Sequence, residues 1–168
     1  MSQSRSRVLI VEDAPALAET YAAYLKTENC SVETCGTGKE ALAAISALPP
    51  DVLVLDVNLP DMNGIDLLRE VRGRHLPTEV LIVTGQASVR LAVESMKEGA
   101  LDFLTKPFSA DRLRVTVRNA LERGKLESQV QARTAELEHA LERVENDEAA
   151  LRLSATKLRK AQEVAHVG

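Results

Sequence analysis

Apolar residues enter this chain in two rhythms. Unbroken aliphatic runs at 8–11, 52–55 and 80–83 alternate with longer stretches, such as "APALAETYAAYLKT", "TGKEALAAISAL", "GIDLLREVRG" and "SVRLAVESMKEG", where apolar positions recur every three or four residues. Continuous runs rather than period-two alternation mark strands covered on both faces, as in a parallel sheet. With "SVETC", "LDFLT" and "SADRLRVTVRNALER" added, five strand–helix units follow one another from residue 7 to about 123. Strands that alternate regularly with helices predict an α/β doubly wound sheet with right-handed crossovers.

The punctuation agrees. Pro49-Pro50 closes the second helix, Gly99 stands where the fourth should stop, and Ser109 is an N-cap candidate for the fifth, with Asp111 in its first turn.

After Gly124 neither Pro nor Gly occurs until Gly168, and Ala, Glu, Leu, Lys and Arg dominate, so a long helix is expected. Val130, Leu137, Val144, Leu151, Leu158 and Ala165 recur at heptad spacing, with Thr134, Leu141, Glu148, Ala155 and Gln162 as the weaker companion row. A strict heptad row stays on one side of a helix only by supercoiling against a partner, so a parallel coiled-coil dimer of modest stability is expected, with a single amphipathic helix folded onto the domain as the alternative. Two segments result: residues 1–123 and a helical extension, 124–168. The mid-helix Gly124, which costs about 1 kcal/mol relative to Ala, is expected to loosen their junction.

Composition narrows the picture. No apolar run approaches the roughly eighteen residues of a membrane span, so no membrane partner and a cytoplasmic location are expected. The net charge of −4 gives no general attraction to nucleic acid, and the basic stretch "RLRVTVRNALERGK" reads as a solvated helix face. Cys30 and Cys35 lack the spacing and partners of a zinc site and read as reduced thiols. His75, His139 and His166 are scattered, and nothing nominates them as ligands.

Polar residues cluster at one kind of position. The first strand ends in Glu12 and Asp13, the third in Asp56, the fourth in Thr84, and the fifth is followed by Lys106. In a doubly wound sheet, ligands bind beyond the carboxyl ends of the strands. Three carboxylates brought together there need a compensating cation, and an all-oxygen set with few protein ligands suits Mg2+.

"LIVEDAPAL", "VLVLDVNLPDMNGIDLL", "LIVTGQAS" and "GALDFLTKPF", in this order and spacing over about residues 5–123, resemble the receiver domain of two-component response regulators. The finer match, which includes "ADRLRVTVRNAL", is to receivers of the nitrogen-regulator type that precede sigma-54 activator domains. The resemblance implies a flavodoxin-like fold with strand order 2-1-3-4-5. It implies that Asp56 is the phosphoacceptor for a cognate histidine kinase or phosphotransfer protein. Mg2+ would then be held by Asp13, Asp56 and the Asn58 backbone carbonyl, with Glu12 acting through water. Lys106 would stabilise the transferring phosphoryl group, with Pro107 following it through a cis bond. Thr84 and Phe103 would form the switch, Gly85 would leave the phosphate pocket open, and the face from the fourth to the fifth helix would support a homodimer.

Other readings fit less well. A phosphohydrolase of the haloacid-dehalogenase type needs a second acid two residues beyond its aspartate, where this chain has Asn58. A P-loop at "GTGKE" fails because Glu33 and Glu40 stand where Gly and Ser/Thr are required. A coiled-coil adaptor with a degenerate receiver is disfavoured because each family site residue is present. No helix-turn-helix or ATPase pattern follows residue 123, so direct nucleic-acid binding is not expected. Beyond self-phosphorylation and autodephosphorylation at Asp56 no catalytic activity is assigned, and a histidine kinase, a diguanylate cyclase or sigma-54 activation remain candidate outputs. "LRKAQEVAHVG" resembles the entry helix of a PAS domain and, less closely, the approach to a histidine-kinase dimerisation domain.

Overall fold

The continuous aliphatic runs form the middle of a parallel five-stranded sheet. In a computed structural model, which describes residues 4–86 and 88–168, the order of elements is β1 (Ser6–Val11), α1 (Pro15–Tyr24), β2 (Cys30–Cys35), α2 (Gly38–Ala47), β3 (Val52–Asp56), α3 (Gly64–Gly73), β4 (Glu79–Thr84), α4 (Val89–Lys97), β5 (Asp102–Thr105) and α5 (Ala110–His166). The strands lie in the order β2-β1-β3-β4-β5, all parallel, which is the flavodoxin-like arrangement. By the distribution of internal packing the chain divides into two units, Met1–Leu126 and Glu127–Gly168.

Alternation along each strand sorts the core of the first unit into two layers. Leu9, Val11, Leu53, Leu55, Val80 and Ile82 pack with Ala41 and Ile45 of α2 and with Ile65, Leu67, Leu68 and Val71 of α3; Leu91 of α4 joins them. Val8, Ile10, Val52, Val54, Leu81 and Val83 face Tyr21 of α1 and Leu113, Val117 and Ala120 of α5. Both faces of β1, β3 and β4 are therefore buried, which is why their sequences show no polar alternation.

Helix termini follow local chemistry. Thr37, Asn63, Ser88 and Ser109 each accept a hydrogen bond from a backbone N–H of the first turn they precede. Pro15 opens α1, where its missing N–H costs nothing. Gly99 follows α4 with φ +98°, so it is the left-handed residue that ends that helix. After α3 that conformation falls to His75, with φ 54°.

One departure from the sequence pattern and one continuity are informative. The periodicity of "APALAETYAAYLKT" extends past Tyr24, but the chain tightens there: the Leu25 and Lys26 N–H groups donate to Ala22 and Ala23 O, three residues back. This tighter turn places Leu25, fully buried, in the core beside Tyr21. At the other end, α5 continues through Gly124 without a break.

An ion pair ties α5 to the turn before β2. Arg118 donates to both oxygens of Glu28, at 3.2 and 2.8 Å, and this contact holds the Glu28 carboxyl below its ordinary range. A depressed carboxyl contributes stability that is present above its unfolded value and lost as pH falls through its folded one. Arg118→Ala is therefore expected to lower the melting temperature at neutral pH, with the gap to wild type closing as the pH drops below the carboxylate range. Paired thermal melts across pH check this, and a gap that widens on acidification would contradict it.

Candidate functional site

Parallel pairing with matched register puts the strand ends side by side. Val11 pairs with Leu55, so the next residues, Glu12 and Asp56, emerge together; Thr84 pairs with Thr105, and Lys106 follows. Alternation then decides the side. Glu12 continues the positions of Val8 and Ile10, Asp56 those of Val52 and Val54, and Lys106 that of Leu104, all in the layer that faces α1 and α5. Thr84 continues Val80 and Ile82, and Phe103 is half-buried against the same opposite layer.

Lys106 closes the site. Its Nζ donates to Asp56 Oδ2 at 2.7 Å and, in a shorter contact, to Glu12 Oε2. Both acids are buried. Their remaining oxygens accept backbone hydrogen bonds, Glu12 Oε1 from Ala14 N at 3.1 Å and Asp56 Oδ1 from Asn58 N at 2.9 Å. Burial pushes the Glu12 carboxyl above the ordinary carboxylate range, despite the pull of Lys106. Burial acts to lower Lys106 as well, but its hydrogen bonds to Asp56 and Glu12 and their charges outweigh this and raise it.

Asp13, exposed at the rim, completes a cluster in which oxygens of Glu12, Asp13 and Asp56 lie within 4.8 Å of one another. Three carboxylates against one ammonium leave a surplus of negative charge at the sheet edge. A hard divalent cation fits that donor set on charge and on chemistry. Thr84 is fully buried; its Oγ1 accepts from the Gln86 N–H at 3.1 Å, and its carbonyl accepts from Lys106 N at 2.8 Å. A Cβ on Gly85 would meet nothing within 4 Å, so this side of the site is open. The Lys106–Pro107 peptide bond is cis.

Three contributors were not visible in the sequence pattern. A Cβ on Gly64 would lie 2.3 Å from the Asp56 carbonyl oxygen, so the loop after β3 closes this tightly only with glycine there. Tyr21 packs at a tilt against Phe108, ring centres 4.8 Å apart, close enough to the site for the charges of Lys106, Glu12 and Asp56 to act on it, although burial is the main cause of its raised phenol. Asp61 accepts hydrogen bonds from the start of α2. A helix-start pattern at Thr37 was the one available hint for Asp61, and it does not say which residue supplies the second acceptor. The two cysteines are free, and burial raises Cys35 to about 11, so its thiol is unreactive at neutral pH.

Known proteins share this fold. Residues 8–118 match the family model described as the response regulator receiver domain. The regulatory protein LuxO of Vibrio campbellii is 41% identical over 112 residues, which cover 67% of this chain and 25% of that protein. TrcR, a transcriptional regulatory protein of Mycobacterium tuberculosis, is 42% identical over 117 residues, 70% of this chain and 46% of that one. The chain thus spans about a quarter of the length of LuxO and under half that of TrcR. Among solved structures, the receiver domain of a putative LuxO repressor protein from Vibrio parahaemolyticus superposes with a TM-score of 0.74 at 43% identity, covering 76% of this chain and 98% of that one. NtrX from Brucella abortus gives 0.71 at 32% identity, covering 77% of this chain and 29% of that one. Receiver domains generally bind Mg2+ at an acidic pocket, are phosphorylated on an aspartate and partner with histidine kinases or phosphotransfer proteins. With its strand order, its acidic sheet edge and a family match over most of the first unit, the chain belongs to the response regulator receiver domain family.

Proposed function

We propose that Asp56 accepts a phosphoryl group from the phosphohistidine of a cognate kinase or phosphotransfer protein. A carboxylate oxygen of Asp56 attacks phosphorus, the phosphorus–nitrogen bond breaks, and the imidazole leaves with the electron pair. Asp13, Asp56 and the Asn58 carbonyl are the groups suited to hold Mg2+, with Glu12 acting through water. Bound there, Mg2+ supplies positive charge to the transferring oxygens. Lys106 supplies the second cation from its bridge between Glu12 and Asp56, and that bridge is the single observation that carries this reading. Its three members come from positions 50 and 94 residues apart in the chain. Among the described residues no helix is long and apolar enough to cross a membrane.

Thr84 and Phe103 are the switch. The Thr84 oxygen accepts from Gln86 N, and its own proton can be donated to a phosphoryl oxygen. Moving that hydroxyl would disturb the layer in which Phe103 is half-buried, and with it the surface of α4, β5 and α5. Val89, Val93 and Met96 of α4 and Val115 of α5 are exposed apolar groups there, available to a second copy. In the second unit Val130, Leu137, Val144, Leu151 and Leu158 are all exposed, as a heptad stripe awaiting a partner helix would be. Residues 1–123 receive the phosphoryl group, and residues 124–168 pass its effect to an output module as a change in coiled-coil packing.

Acetyl phosphate with Mg2+ should add one phosphoryl mass to the wild type and none to Asp56→Asn; equal labelling of both would remove the assignment. Glu12 makes a separate prediction, because burial raises its carboxyl and so disfavours its charged form in the folded protein. Glu12→Gln should raise the melting temperature in EDTA and reduce the extra stabilisation that Mg2+ gives. A lower melting temperature in EDTA would show that the acid stabilises the metal-free fold. For the dimer, Leu137→Cys and Leu151→Cys should each form an intermolecular disulfide whose yield changes on phosphorylation. The buried or half-buried native thiols should give little background. No crosslinked dimer in either state would end the coiled-coil reading.

A further inference from the structure

The first turn of α2 has its N–H groups satisfied from two directions. Glu40 N donates to Thr37 Oγ1 at 3.1 Å, the local cap. Gly38 N and Lys39 N donate instead to the two oxygens of Asp61, at 2.8 and 2.9 Å, from the loop between β3 and α3. These two backbone donors hold the Asp61 carboxyl below its ordinary range, so it is ionised at neutral pH. Met62 follows it down: a Cβ on Gly38 would lie 2.3 Å from Met62 Sδ. The loop tip is therefore seated on the helix by one carboxylate and one thioether.

The same loop is closed at its neck. Asn58 and Asn63 form an antiparallel bridge, and Gly64 N donates to Val57 O at 2.7 Å. Asn58 is thus one side of that neck, with its N–H on Asp56 Oδ1, and the tip is the other end of the loop. Its carbonyl is the backbone ligand of the metal reading above, on which this inference rests. A backbone ligand on a loop fixed at one end only must be ordered each time a cation binds, whereas a loop fixed at both ends is already ordered.

We infer that Asp61 is a positioning residue, which fixes the Asn58 carbonyl for a divalent cation by docking the loop onto the first turn of α2. It touches neither the cation nor the phosphoryl group. Groups that orient a metal ligand typically change affinity by about 10- to 100-fold when removed.

Calorimetric titration with Mg2+ alone tests this on the full chain. Asp61→Ala should weaken Mg2+ binding about tenfold or more, and Asp61→Asn, which keeps one carbonyl oxygen for one N–H, should fall between it and wild type; the Asn variant carries the test if the Ala variant does not fold. In metal-free protein the Asn58 and Gly64 amides should exchange faster with solvent in both variants. Thr37→Ala separates positioning from capping: it removes the other cap of the same helix, and should lower thermal stability while leaving Mg2+ affinity within about twofold of wild type. Unchanged Mg2+ affinity in the Asp61 variants, or an equal loss in Thr37→Ala, would overturn the inference while leaving the metal reading intact. A wild type that binds no Mg2+ would overturn both.

Discussion

A single ammonium group lets two buried acids share the edge of this sheet. Glu12 and Asp56 stand next to each other because β1 and β3 are neighbours in matched register, and no local rearrangement of either strand could separate them without breaking the pairing. Left alone, two adjacent carboxylates out of water would repel and take up protons. Lys106 bonds both, and its raised affinity for its proton is the counterpart of that contact. The negative charge that remains, with Asp13 at the rim, makes the edge receptive to a small hard cation.

Sheet alternation puts the proposed phosphoacceptor and the proposed switch in different layers. Glu12, Asp56 and Lys106 extend the layer shared with α1 and α5, whereas Thr84 and Phe103 extend the layer shared with α2, α3 and Leu91 of α4. The Thr84 carbonyl nevertheless accepts from the Lys106 backbone N–H, so one strand end is bonded directly to the segment that carries the cation. A charge added at Asp56 thus has a short path to the opposite face. Packed layers respond to such a change by moving between discrete arrangements rather than by deforming gradually.

The loop after β3 shows how much of a site lies outside its reactive groups. Gly64 allows the backbone to press against the Asp56 carbonyl, and Gly38 allows Met62 to lie on α2. Asp61 then uses the helix N–H groups that would otherwise need water or a further local cap. Each is a close approach or a cap rather than a large burial of surface, and together they fix where Asn58 can be.

The sequence by itself determined the class of fold and which polar residues collect at the sheet edge. Strands buried on both faces must be apolar throughout, so 8–11, 52–55 and 80–83 could be read directly, and the first polar residue after each run had to emerge at the sheet edge. Caps at Ser109 and Gly99 were legible for a similar reason, since they act within one helical turn. Only the tertiary structure decided that Lys106 bonds Glu12 and Asp56 together, that Asp61 caps α2, that Arg118 reaches Glu28 and that Tyr21 packs against Phe108. It also ended α1 early so that Leu25 could enter the core. Periodicity reports which face of an element a residue occupies, because that depends on neighbours a few positions away. Which distant residue meets it there depends on register, packing and loop closure, and those carry no period along the chain.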